Sequence, residues 1–216
     1  MLNNLNQNFD TETINFQKLN LGPYSNNVYI LTCKKSKKSI IIDTSHSSQE
    51  ILSACKGTEV QFILQTHCHG DHIGALDEIR EITRVPIGLH KEDKEEFGIT
   101  ADFELRDGEF VNFGDVSIKC IHTPGHSRGM TMFYFPGHCI CGDTIFPGGP
   151  GKTWTHEQLL QLLKSIKEKV LTLPKETILY PGHGENTTVA ESEILVSKYE
   201  LNGNPKKEDF GDITWE

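Results

Sequence analysis

From His67 to His72 the chain reads His-Cys-His-Gly-Asp-His, three imidazoles and a carboxylate within six positions. So many metal-binding groups in one short loop constrain the fold, which must bring them to a common point and draw further ligands from elsewhere. In an extended loop His67 and His69 are two apart and point to the same side, so both can reach one cation. Asp71 and His72 fall at the start of a helix expected over Asp71 to Ile82 and turn towards a second point. Cys68 alternates away from the His67 and His69 side and reads as a packing residue. The spacing is that of a two-metal site.

Three later segments offer the remaining ligands. Val116 to Ile121 reads as a strand broken by Thr123-Pro124-Gly125, which puts His126 on a turn at its end. His122, in the same turn, is a candidate outer partner of the site or simply a turn residue. Cys139 to Cys141 is a short apolar strand ending in Gly142-Asp143, where a glycine lets backbone approach closely and Asp143 can bridge. Ile178 to Tyr180 is followed by Pro181-Gly182-His183. Singly, such residues are more often caps or turns. Four strand ends each carrying a ligand type point to one site at the edge of a sheet.

The pattern His67-x-His69-x-Asp71-His72, then His126, Asp143 and His183, resembles the metallo-β-lactamase superfamily, in particular its glyoxalase II-like branch, from about Leu21 to Glu185. The resemblance implies an α/β fold, an αββα sandwich of two mixed sheets with helices on the outer faces. It also implies two divalent metal ions, zinc first, with iron or manganese as other candidates. One would be held by His67, His69 and His126, the other by Asp71, His72 and His183, with Asp143 bridging. β-Lactamases of the superfamily often place a cysteine among the second-site ligands or lack the bridging Asp, whereas this chain has His72 and Asp143. Antibiotic hydrolysis is therefore disfavoured. The flavodiiron branch has His-x-Glu-x-Asp where this chain has His69. His46 stands where the family usually has a small residue.

The implied reaction is hydrolysis of a small thioester by a metal-bridging hydroxide, with Asp71 and Asp143 orienting it. A thiol of pKa near ~8.5 leaves as thiolate without obligatory protonation. Glyoxalase II carries a C-terminal helical domain that grips glutathione, but only 33 residues follow His183 here. Gly151-Lys152-Thr153-Trp154 falls where the family has a basic residue and an aromatic that contact glutathione, which makes Lys152 and Trp154 the substrate candidates and a small anionic thioester the expected partner. Alternative readings are a persulfide dioxygenase with one iron on His67, His126 and Asp143, a lactonase, and a metal-binding protein without catalysis.

The remaining features set bounds. Twenty-one basic and 30 acidic side chains give a formal charge of -9, and the one basic tract, Lys34-Lys35-Ser36-Lys37-Lys38, lies between two strand-like runs as a hairpin tip. No nucleic-acid partner is expected. Met1 to Asn8 lacks the charge and apolar core of a signal peptide, and no apolar run nears the ~20 residues a bilayer span needs. A cytoplasmic enzyme without a membrane partner follows, with six cysteines reduced in the core. No linker divides residues 1–216, so one domain is expected, with a polar tail from about Asn202. The oligomeric state has no signature. Other expected elements include strands at Asn27 to Thr32, Ser39 to Asp43 and Phe62 to Gln65. Helices are expected at Gln49 to Lys56, at Thr155 to Leu171 with Thr155 as N-cap, and at Thr188 to Tyr199.

Overall fold

Period-two alternation sorts the strand residues onto two faces, and the computed structural model, which describes residues 7–215, shows what each face meets. The first sheet runs in chain order: β1 (Gln7–Asp10), β2 (Ile14–Leu21), β3 (Asn26–Cys33), β4 (Lys38–Ile42), β5 (Glu59–Leu64), β6 (Ile87–His90) and β7 (Phe103–Leu105). Its first four strands are antiparallel and its last four parallel, joined by α1 (Ser48–Ala54), α2 (Leu76–Thr83) and α3 (Lys91–Phe97).

The second sheet starts as an antiparallel meander of β8 (Phe110–Phe113), β9 (Val116–His122), β10 (Thr131–Phe135) and β11 (His138–Gly142). A small hairpin, β12 (Ile145–Phe146) and β13 (Gly149–Pro150), and the helix α4 (His156–Ser165) follow. Then β14 (Ile178–Pro181) returns parallel to β11, with β15 (Thr187–Thr188) at the edge and α5 (Val189–Leu201) after it.

Facing side chains such as Tyr29, Leu31, Ile40 and Ile42 meet Ile118, Phe133, Phe135 and Tyr180 between the sheets. The opposite faces of the same strands differ in their partners: Val28, Ile30, Ile41 and Ile63 pack with α1 and α2, while Met132, Cys139, Cys141 and Leu179 pack under α4 and α5. The result is the expected four-layer αββα sandwich. Thr155 caps α4 and Thr188 caps α5, each in a capping box with Gln158 or Glu191, worth about 1 kcal/mol per cap. Lys34 to Lys37 form the β3–β4 turn, and Lys34 and Lys35 are paired with Asp10 and Asp115. All six cysteines are buried and unpaired.

Three departures matter for the site. The helix expected from Asp71 begins at Leu76. Two groups that a helix from Asp71 would use are taken by the loop after β4 instead: Thr44 N donates to His72 O (2.9 Å) and Ala75 N to Thr44 O (2.8 Å). Secondly, β1, β2 and β7 have no counterpart among the expected strands, although Ile14-Asn15-Phe16-Gln17 alternates cleanly. Thirdly, the polar tail holds only for residues 202–208. The chain then returns: Gly211 bridges to Thr153, and Trp215, 2% exposed, packs edge-on against Tyr199 and bonds through its backbone to Gly148 O. One buried indole is enough apolar surface to tie down a short segment. The reading of the N-terminus falls on residues 1–6, which lie outside the described residues, and on β1. Among the described residues no helix is long and apolar enough to cross a membrane.

Candidate metal centre

The four ligand-bearing segments leave the C-terminal ends of β5, β9, β11 and β14, all at one rim of the sandwich. Their outer partners orient them. Asp43, fully buried at the end of β4, accepts hydrogen bonds from Thr66 N and Thr66 Oγ1, both at 2.8 Å, and lies 3.0 Å from His72 Nδ1. The Thr66 hydroxyl, already donating to Asp43, can accept from His67 Nδ1 at 3.1 Å. His126 Nδ1 donates to Lys152 O (2.8 Å) and His183 Nδ1 to Tyr24 O (2.9 Å). These contacts turn Nε2 of all four imidazoles inward, where it can ligate a cation once it carries no proton. His69 differs, presenting Nδ1 to His126 Nε2 at 2.8 Å.

The inward atoms form two end groups, His67/His69/His126 and Asp71/His72/His183, joined by a third, His67/His72/Asp143, that overlaps both. His126 Nε2 is 3.2 Å from His67 Nε2, and His72 Nε2 is 3.1 Å from His183 Nε2. Lone pairs aimed at each other over such distances repel unless a proton or cation lies between them. A tetrahedral cation with nitrogen ligands at about 2.0–2.1 Å would set them about 3.3 Å apart. Asp143 lies between the groups, its Oδ2 3.5 Å from His126 Nε2 and 3.4 Å from His183 Nε2, its Oδ1 3.4 Å from His72 Nε2. Asp143 Oδ1 is also buried without a hydrogen-bond partner. A side chain at Gly182 would strike this oxygen and the His72 ring, so only glycine lets the end of β14 close behind the centre. The donor set and the orphaned oxygen fit a metal pair.

Electrostatics divide the groups. Burial pushes His67 well below the usual histidine range, His69 down to about 4 and His126 down as well, so these three are neutral near pH 7. Burial also opposes charge on His72 and His183, but Asp143, with Asp43 on one and Asp71 on the other, outweighs it. His72 is raised well above its ordinary value and His183 to about 10. Asp71 is held low by His183, with Asn26 Nδ2 donating to its Oδ2 at 2.9 Å. Burial works against the Asp143 carboxylate, yet His72 and His183 keep it ionised. Cations entering this second group must displace protons.

Further supports have no short motif in the sequence. Buried Asp93 of α3 accepts from Cys68 N at 3.1 Å, Ser127 Oγ at 3.0 Å and Gly129 N, clamping the loop of His67 and His69 to that of His126. Lys18, 2% exposed in β2, donates to Gly184 O (2.6 Å) and Asn186 Oδ1 (2.9 Å) beside His183. A polar residue at a core-facing strand position was the available signal for Lys18, and Asp43 carried the weaker one of an acid at a strand end. Asp93 carried none, because acids in a first helical turn are ordinary.

Cys68 is buried beside Asp93 and belongs to neither ligand group. His122 donates through Nε2 to Arg128 O (2.8 Å) and stacks on His90 at 3.9 Å, a turn role rather than a support of the centre. The His46 ring leaves Gly22 no room for a side chain, and Gly74, also beside it, is closed off by Ser45 O.

Above the centre opens a cavity of about 810 Å³ whose walls include Tyr24, Phe146, Trp154 and Ile213. The Trp154 ring lies 5.1 Å from that of His69 and 5.5 Å from that of His126. Lys152 also lines the cavity, its Nζ 3.3 Å from Asp212 Oδ2 of the returning segment. Both substrate candidates therefore line the cavity over the centre, but the lysine already has a partner.

The model of the metallo-beta-lactamase superfamily matches residues 21–183. The chain is 34% identical to a probable metallo-hydrolase, YqgX, of Bacillus subtilis (strain 168), over 81% of this chain and 92% of the relative. It is 32% identical to a hydroxyacylglutathione hydrolase of Photorhabdus laumondii, over 87% and 79%. Against the mitochondrial persulfide dioxygenase ETHE1 of Homo sapiens the identity is 28%, over 77% and 68%. A crystal structure of BLEG-1 B3 metallo-beta-lactamase superposes with a TM-score of 0.76 at 28% identity, covering 83% of this chain and 96% of the other.

Proposed function

The chain belongs to the metallo-beta-lactamase superfamily, and on that premise we propose that it is a dinuclear metal-dependent hydrolase of small thioesters, S-acylglutathione or a related compound. The observation that carries this reading is the pair of inward-facing groups, His67/His69/His126 and Asp71/His72/His183, flanking Asp143 beneath a cavity open to substrate. Each group would hold one divalent cation, zinc in the first instance, with Asp143 shared. Such a pair would supply Lewis acidity towards a carbonyl and would lower the pKa of a bound water.

The chain's own residues do the rest. Asp71, steadied by Asn26, and Asp143 accept hydrogen bonds from the attacking water and aim it at the thioester carbon. As the C–O bond forms and the C–S bond breaks, a thiol of pKa near ~8.5 departs as thiolate and needs no acid. Trp154, Tyr24 and Phe146 shield the reacting carbonyl, and Lys152 receives a carboxylate of the substrate. Six reduced cysteines agree with a cytoplasmic setting.

The likeness to a B3 β-lactamase makes β-lactams the competing hydrolytic class. Their amine must be protonated on leaving, which favours thioesters here. A persulfide dioxygenase with one iron on His67, His126 and Asp143 draws support from the 28%-identical relative, but it leaves the convergence of Asp71, His72 and His183 without a use. Metal-loaded protein should hydrolyse S-lactoylglutathione with a higher kcat/KM than any penicillin or cephalosporin, lose activity to a chelator and regain it with zinc. A β-lactam preference sinks the thioester reading.

A further inference from the structure

Lys152 is fixed opposite an acid by backbone pairing. Thr153 and Gly211 form an isolated antiparallel bridge, Thr153 N to Gly211 O at 3.2 Å and Gly211 N to Thr153 O at 2.9 Å. In such a bridge the residue before one partner faces the residue after the other, which sets Lys152 across from Asp212 with their charged ends 3.3 Å apart. Trp215 pins the other end of the segment: its backbone N donates to Gly148 O at 2.9 Å and its indole is buried. Between these anchors Asp212, Ile213 and Thr214 line the cavity mouth. Among the described residues lining the cavity, Lys152 is the one lysine or arginine.

The side chains of Lys152 and Asp212 are 51% and 79% exposed, so their pair opens at little cost. What replaces it depends on the ligand's charge. A purely anionic group must take Lys152 from Asp212 and then sit beside an unpaired carboxylate. A group carrying both an ammonium and a carboxylate exchanges one exposed pair for two. We propose that Asp212 determines charge selectivity at the mouth: by offsetting Lys152 it disfavours thiol groups that are only anionic and admits those that carry a cation. For catalysis this rests on the thioester reading; for binding it does not.

The test uses acetyl thioesters of 3-mercaptopropionate (anionic), thiocholine (cationic), glutathione (both charges) and ethanethiol (neutral), with the S-methyl thioethers of the same thiols as non-hydrolysable ligands. In zinc-loaded protein, Asp212→Asn should raise kcat/KM for the mercaptopropionate thioester by about 3- to 10-fold and lower it for the thiocholine thioester by a similar factor. The change should sit in KM, appear equally in the Kd of the thioethers, and leave the neutral thioester unaltered. Lys152→Ala should shift the anionic and cationic substrates the opposite way. An anion-to-cation preference that Asp212→Asn leaves unchanged in both binding and turnover overturns the proposal. Failure of the wild type to hydrolyse any thioester, with the binding shift intact, overturns the hydrolase reading while supporting the role of Asp212.

Discussion

At the floor of the cavity four of the five imidazoles have their outer nitrogen within hydrogen-bond reach of a partner on the protein, whereas at the mouth Lys152 and Asp212 meet only across an exposed 3.3 Å contact. The floor is built from strand ends of both sheets and cross-braced by Asp43, Asp93 and Lys18. The mouth is built from a hairpin loop and a returning C-terminal segment held by the Thr153–Gly211 bridge, the Trp215 N to Gly148 O bond and one buried indole. Ligands must keep their geometry to sub-ångström tolerance to hold cations, and buried braces provide that. Substrate selectivity tolerates, and here uses, contacts that exchange with solvent.

The contrast predicts graded effects. Asp143→Ala should be the most damaging, because it removes the carboxylate between the two groups and strands His72 and His126 without their shared partner. Loss of bound metal and a fall in kcat/KM beyond the roughly 10- to 100-fold typical of outer partners are expected, measured by elemental analysis and steady-state kinetics. Retention of both metals with near-normal turnover would break the distinction between floor and mouth.

Next come the braces. Asp43→Asn weakens the support of both Thr66 and His72, and Asp93→Asn loosens the clamp between two ligand loops. Each should cost about 10- to 100-fold in metal affinity, read by competition with a chromophoric chelator. The mouth should respond least. Lys152→Ala should leave metal content unchanged and lower kcat/KM for an anionic thioester by about ten-fold, chiefly through KM, because the contact is made in ground and transition states alike. Trp215→Ala should free the returning segment and shift charge preference as Asp212→Asn does, again with the metals retained. Metal loss in either mouth variant would mean that floor and mouth are one cooperative unit.

The same division explains what could be read in advance. The seven floor residues sit in short motifs at strand ends, where ligand type and turn residues occur together, so His67 through His183 were legible without a structure. Asp43 and Asp93 act across 23 to 36 residues of separation; Asp43 has only the weak mark of an acid at a strand end, and nothing local distinguishes Asp93 from an ordinary acid. The helix read from Asp71 starts late because His72 O and Ala75 N bond to Thr44 in the loop after β4, a tertiary demand that overrides local pattern. The segment Gly211–Trp215 has no periodicity; its position follows from Trp215 finding a buried site beside Tyr199. Lys152 and Trp154 both line the cavity, but the partner of Lys152 could not be foreseen.

The dinuclear hydrolase account is tested most directly by one preparation assayed three ways: metal per chain, thioester hydrolysis, and oxygen uptake with a persulfide. The account predicts close to two divalent metals per chain, hydrolysis of S-lactoylglutathione that rises with metal occupancy, and no oxygen consumption. One iron per chain with persulfide-dependent oxygen uptake would contradict it.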